Sequence, residues 1–211
     1  MTRSPIEKRN ILLEKNSPLT NEDKKLFAYF GEEAKILPPY RILNPQCISI
    51  GSRTAVRGGC HINAFRDLSF LLAYVHDQYR NDFDPEEYRY DPVIEIGREN
   101  QIGRFAFMSC TASITLEDNV LLSERVFIGD NSHGHSHPDV PIMQQPNQRG
   151  RPIRIGAGTW LGVGASILAG TRLGKNCVVG ANSVVRGGEF SDHVVIACEG
   201  AKVVGKASRN A

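Results

Sequence analysis

From Ile155 to Phe190 the chain reads IGAGTW LGVGAS ILAGTR LGKNCV VGANSV VRGGEF, and an aliphatic residue opens each of the hexads at Ile155, Leu161, Ile167, Leu173, Val179 and Val185. Glycine often follows (Gly156, Gly162, Gly174, Gly180), and a small residue stands four positions after the aliphatic (Thr159, Ala165, Thr171, Cys177, Ser183). Neither a helix nor a strand has a period of six. A coil of three short strands does, because each strand supplies one inward aliphatic and the corners need small or turn-forming residues. The same register recurs upstream at Ile96, Ile102, Met108, Ile114, Val120 and Val126, and more weakly at Ile50, Val56 and Ile62. The pattern predicts an all-β solenoid, a parallel β-helix of hexapeptide repeats.

With 211 residues the chain has ample length for one core, and a hydrophobic content of 41% is ordinary for a globular protein. A formal net charge of +2 and basic residues mixed with acids give no footprint for nucleic acid. No apolar run reaches the length of a membrane span, and the N-terminal MTRSPIEKRN lacks the apolar core of a signal peptide. The five cysteines (Cys47, Cys60, Cys110, Cys177, Cys198) are widely spaced and form no CxxC pair, which argues for a reducing compartment. A cytoplasmic protein is expected.

Residues 4–35 are expected to form an amphipathic helical cap within an N-terminal segment 1–40, with Thr20 capping NEDKKLFAYFGEEA and Leu26, Phe27 and Phe30 as its stripe. Pro38-Pro39 ends it, and the β-helix is expected over 41–206 with a tail at 207–211. Two segments break the repeat. At 67–92 Leu68, Leu71, Leu72 and Val75 recur at helical spacing before an acidic, aromatic stretch with Tyr74, Tyr79, Tyr88 and Tyr90. That excursion is either a binding face or a packing arm. At 131–152 a loop rich in Pro, Gly, Asn and Gln carries three of the six histidines. A long loop in a compact repeat protein is more often functional than idle.

His133, His135 and His137 alternate, so on a strand they would share one face, as in a metal site. The intervening Gly134 and Ser136, with Pro138 following, weaken that reading, and no acidic or Cys cluster completes a ligand set. Solvated loop histidines without a role and a single general base remain open, since imidazole titrates near neutral pH and can accept a hydroxyl proton. Trp160, the only tryptophan, ends a hexad where an outward aromatic either packs under the loop or touches a ligand. Arg172, Arg186, Lys202 and Lys206 lie on or after the last coils, where they suit cofactor phosphates or a solvated face.

Taken together, a hexapeptide array interrupted by a His-bearing loop, resumed as PIRIGAGTWLGVGASILAGTRLGKNCVVGANSVV and closed by AKVV, resembles the left-handed β-helix acetyltransferases. The closest likeness is to sugar O-acetyltransferases of the galactoside and maltose group and to enzymes that decorate bacterial polysaccharides. It covers about residues 20–206 and leaves 67–92 unmatched. The resemblance implies a homotrimer that binds acetyl-CoA between subunits, with His133 as the catalytic base. Trp160 and Gly162 match the family's W-[IL]-G motif, and an amide near Val163 is similar to the one that faces the thioester oxygen. Ala181 in VGANS matches the residue lining the pantetheine arm, and Arg186 and Lys202 match basic residues near the nucleotide end. Three features depart from the pattern: the closing turn proline is missing in CEGAK, Arg186-Gly187 stands where a Lys is usual, and the family's acceptor-site Asn and Asp have no match.

The resulting expectation is direct acetyl transfer from acetyl-CoA to a hydroxyl of a sugar or glycan precursor, without a metal or a covalent acyl-enzyme. Three alternatives stand beside it: transfer to an amine or an antibiotic on the same fold, a zinc protein like the γ-type carbonic anhydrases, and a non-catalytic scaffold.

Overall fold

The computed structural model describes residues 10–67, 79, 83–84 and 88–197, and the backbone of residues 202–206. Short strands assemble into sheets of seven, seven and eight strands, and the chain visits them in turn as a left-handed parallel β-helix. Sheet A includes Cys60–Ala64, Phe107–Cys110, Phe127–Gly129, Ser166–Leu168 and Val184–Val185. Sheet B includes Val93–Ile96, Ser113–Leu116, Ile153–Ile155, Thr171–Leu173 and Gly188–Phe190. Sheet C includes Gln101–Ile102, Leu121–Leu122, Trp160–Leu161, Val178–Val179 and Val194–Ala197.

The repeat exists because coils stack in register. Ile62, Met108, Ile128, Ile167 and Val185 lie over one another inside sheet A. Ile96, Leu116, Ile155 and Leu173 do so in sheet B, and Ile102, Leu122, Leu161 and Val179 in sheet C. All are buried, and each such side chain contributes about 1.5–3 kcal/mol by leaving water.

Between Ile96 and Ile128 the frame slips once. Ile96 pairs with Leu116 and Met108 with Ile128, so Val120 and Val126 do not head strands as expected. They take the inward corner position four residues after Leu116 and Leu122 and stay buried there. The slip arises because eight residues rather than six separate the inward Met108 and Leu116: the strands either side of the Thr111-Ala112 corner, Phe107–Cys110 and Ser113–Leu116, have four residues each, where Ser166–Leu168 and Thr171–Leu173 have three.

The N-terminal helix over 4–35 is a second correction. Thr20 does cap a helix, with Asp23 donating its backbone N–H to Thr20 Oγ1 at 3.2 Å, but the helix is a single turn, Asn21–Lys24. The coil already begins at Tyr29–Phe30 and Lys35–Ile36, ahead of the expected start at 41. Phe30, Ile36 and Ile42 are six apart, and stacking on the next coil outweighs the helical spacing of Leu26, Phe27 and Phe30. Leu12–Lys15 adds an antiparallel strand to the edge of sheet A. The helical stripe of Leu68, Leu71, Leu72 and Val75, together with Tyr74, lies outside the described residues.

Candidate active site

The loop at 131–152 leaves the coil where sheet A turns into sheet B, and a buried carboxylate fastens its root. Asp130 is fully buried, and its oxygens accept the backbone N–H groups of Thr111 at 2.9 Å and Ala112 at 2.8 Å. The Thr111-Ala112 corner therefore has its donors satisfied by the residue at which the loop departs. Asp130 Oδ1 also accepts Asn131 Nδ2 at 2.9 Å, and the same Nδ2 reaches Ser109 Oγ at 3.0 Å. Two acceptors thus fix the orientation of the Asn131 amide, whose Oδ1 accepts Asn147 Nδ2 at 3.1 Å.

His133 sits one step along this network. It forms an antiparallel bridge with Asn147, and its side chain is exposed. Residues directly opposed across such a bridge project to the same side. Asn147 is 8% exposed, and its Oδ1 is buried without a partner among the described residues. The far end of the loop folds back on itself: Gln145 Nε2 donates to the carbonyls of His137 at 2.9 Å and Val140 at 2.8 Å.

The three histidines do not converge. His137 lies against Phe83, with ring centroids 5.2 Å apart, and among the described residues the His135 ring hydrogen-bonds only to the His133 carbonyl, at 3.3 Å. Among the described residues no three His, Cys, Asp or Glu side chains are grouped to hold a metal ion. The described part of the aromatic excursion packs under this loop. Tyr90, nearly buried, donates its hydroxyl to the Asn147 carbonyl at 2.5 Å, and the Arg89 carbonyl accepts Arg149 Nη2 at 3.1 Å.

Trp160, Gly162, Val163 and Ala181 gather at a different edge, where sheet C turns into sheet A. Trp160 is 46% exposed between Leu121 and Val178, and its Nε1 donates to Ser123 Oγ at 2.9 Å. Gly162 is fixed by close approach: a Cβ there would lie 2.6 Å from the Ala181 backbone nitrogen of the next coil. From Gly162 the chain makes a tight turn, closed by Ala165 N–H donating to the Gly162 carbonyl at 3.0 Å, with Gly164 at φ 68°. That is the type II pattern, in which the third residue needs a positive φ. Val163 is the second residue of the turn and 46% exposed, and among the described residues its N–H has no partner. Arg57, Phe105, Ser123, Glu124 and Val163 help line a groove of about 610 Å³ along this edge.

Arg186 lies at the A–B edge, on the same side as His133, and Lys202 lies on Lys202–Lys206, an antiparallel strand ending sheet C. One chain therefore divides the expected site residues between two edges separated by the width of sheet A. Composition and motif gave no hint of Asp130 or Asn147 as the support of the loop, and marked Tyr90 only as part of an aromatic stretch that either binds or packs.

Two buried cysteines are unsuited to nucleophilic chemistry. Burial, with Asp130 nearby, pushes the Cys110 thiol far above its ordinary range, and burial raises Cys60 to about 11. A thiol so held is not a nucleophile at neutral pH.

A stacked hexapeptide coil with a long loop at one edge and a turn amide without a partner among the described residues at another defines a left-handed β-helix of the hexapeptide-repeat class. Residues 152–187 match the family described as bacterial transferase hexapeptide (six repeats). A Mycobacterium tuberculosis protein named "Probable acetyltransferase" is 31% identical over 169 residues, covering 78% of this chain and 53% of that protein. WbbJ of Escherichia coli, whose name assigns it O-acetyl transfer in lipopolysaccharide biosynthesis, is 36% identical over 54% of this chain and 61% of its own length. The chain thus spans little more than half of these curated relatives. A solved structure of AntD, an N-acyltransferase from Bacillus cereus with dTDP and 3-hydroxybutyryl-CoA, aligns at a TM-score of 0.68 and 17% identity, covering 92% of each chain. The chain is similar to hexapeptide-repeat acetyltransferases, as its motifs indicated.

Proposed function

We propose that the chain is an acetyl-CoA-dependent O-acetyltransferase that acetylates a hydroxyl of a sugar or glycan precursor. His133 takes the hydroxyl proton as that oxygen attacks the thioester carbonyl. The Val163 N–H stabilises the negative charge that develops on the carbonyl oxygen, and CoA leaves as the thiol. The pantetheine arm runs past Trp160, Gly162 and Ala181, and Arg186 and Lys202 stand toward the nucleotide. Because His133 and Val163 lie on opposite edges of sheet A, the reaction needs the His133 edge of one subunit against the Val163 edge of another, which is the arrangement of a homotrimer. Free cysteines and an acyl-CoA donor suit a cytoplasmic setting.

The observation that carries this reading is the unpartnered, exposed Val163 N–H on a rigid turn, together with an exposed histidine at the root of a braced loop. A positioned donor of this kind supports charge developing in acyl transfer, and a base supplies ~10²–10⁴-fold. The test is titration calorimetry of acetyl-CoA, followed by turnover on a panel of sugars and amino sugars. Saturable binding near one site per chain is expected, with His133→Ala turning over at least about a hundredfold more slowly while cofactor affinity holds. A His133→Ala rate near wild type sinks the base assignment, and absence of cofactor binding sinks the class. Preference for amino over hydroxyl acceptors in the panel would favour N-acetyl transfer.

A further inference from the structure

At the root of the loop, a second groove of about 600 Å³ opens on the A–B edge, walled by Asn131, Ser132, Gln148, Arg149, Arg151 and Arg186, with Gly129, Leu168 and Ala169 also lining it. Three guanidinium groups therefore border one concavity. The one carboxylate in its lining is Asp130, which is fully buried and already saturated by backbone donors. Elsewhere Arg53, Arg98, Arg154 and Arg172 each meet a carboxylate on a neighbouring coil. Among the described residues Arg149, Arg151 and Arg186 meet none.

Their placement is fixed rather than incidental. Arg151 Nη2 donates to the Ala169 carbonyl at 3.0 Å, which lays the guanidinium across Gly170, where an added Cβ would stand 3.2 Å from its central carbon. Arg149 Nη2 is held by the Arg89 carbonyl, and Arg186 makes no hydrogen bond among the described residues. Each guanidinium has five donors, so most remain unused. Like charges gathered without counter-ions raise the local potential and cost stability unless an anion shares the site. The planar fork of arginine matches the oxygens of phosphate.

We propose that this groove is a phosphate site, in which Arg149, Arg151 and Arg186 clamp a diphosphate or phosphomonoester of a ligand that extends to His133. Ser132 lies in the groove wall and precedes His133 directly, so such a ligand presents its reacting end at the loop root. The anion site stands on its own geometry, and only its service to His133 rests on the acyl-transfer reading. The phosphate belongs either to the acyl-CoA or to a phosphorylated sugar acceptor.

The test titrates inorganic pyrophosphate into the wild-type protein, an Arg149→Gln/Arg151→Gln double variant and an Arg186→Gln variant, with circular dichroism as the check on folding. Saturable binding by the wild type is expected, at least about a hundredfold weaker in the double variant and about tenfold weaker in Arg186→Gln. Arg186→Gln serves alone if losing the carbonyl contacts of the other two prevents folding. No binding of pyrophosphate to the wild type at millimolar concentration overturns the proposal, as do variants that bind it unchanged. CoA and phosphate-free pantetheine then identify the source. If the double variant weakens CoA but not pantetheine, the groove holds cofactor phosphates. If CoA affinity is unchanged and pyrophosphate does not compete with it, the groove serves a phosphorylated acceptor. Pyrophosphate binding without any CoA binding leaves the groove standing and removes the acyl-CoA reading instead.

Discussion

Val163 shows how much one backbone group can be asked to do. It is the second residue of a type II turn, the position in which proline fits best, and its N–H is spare. Val163→Pro therefore removes one donor without disturbing the turn. Turnover is expected to fall about 10²–10³-fold, the usual cost of one oxyanion donor, with an unchanged melting temperature. A wild-type rate would show that the amide takes no part. Asp23 offers a residue-scale prediction of another kind. Lys15 donates to both its oxygens at 2.6 and 2.7 Å, and with the Thr20 N–H holds the carboxyl at about 2, below its ordinary 3.8. A carboxyl depressed in the fold adds stability that is complete above its unfolded value and lost as pH falls through its folded value. The melting-temperature gap between wild type and Asp23→Asn should thus narrow between about pH 4 and pH 2, and a constant gap across that range would contradict it. At this scale the sequence was half legible. Gly162 and Val163 were marked through the resemblance to the acetyltransferase motif, and the structure adds the glycine-flanked turn on which they sit. Asp130 and Asn147 could not be read, and Tyr90 only as part of a stretch that either binds or packs, because their partners lie far along the chain and only the fold brings them together.

The coil itself was legible because its period is a property of neighbours in sequence. From Ile155 to Val185 every predicted inward residue is buried on the expected strand. What escaped was the length of the strands around one corner: eight residues from Met108 to Leu116 shifted the frame, and nothing in the aliphatic pattern marks such a run as long or short. The N-terminal coil escaped for a related reason, since Leu26, Phe27 and Phe30 satisfy a helical stripe while Phe30, Ile36 and Ile42 satisfy the coil. Corners also carry strain that can be relieved. Arg125 stands at φ 59°, a left-handed conformation that later coils fill with Asn176 and Asn182 at φ 52° and 56°. Asparagine tolerates that region better than other side chains bearing a Cβ. Arg125→Asn is expected to stabilise the protein by about 0.5–1 kcal/mol, read as a higher urea midpoint at unchanged slope. A lower midpoint would mean that the Arg125 side chain contributes packing that outweighs the strain.

Assembly decides whether the two edges ever meet. His133 leaves the coil at the A–B edge and Val163 turns at the C–A edge, so a lone chain presents half of the proposed chemistry on each side of sheet A. Between them sheet A and its C–A edge expose Phe105 at 54%, Phe107 at 37% and Val163 at 46%, apolar surface of the kind a second copy covers. Phe107 stacks on Phe127 at 5.8 Å, which gives that surface a firm aromatic stripe. If the site is shared in a cyclic trimer, two differently damaged chains must repair each other. His133→Ala and Val163→Pro proteins should each be nearly inactive alone. Unfolded and refolded together in equal amounts, they should regain about a quarter of wild-type activity, the chance that an intact His133 edge meets an intact Val163 edge in a randomly mixed ring. Mixing them without dissociation should restore nothing, which separates subunit exchange from carry-over. If refolded mixtures stay as inactive as the parents, each chain must build its site alone, and the split between the two edges would then mean that His133 and Val163 do not act on the same substrate.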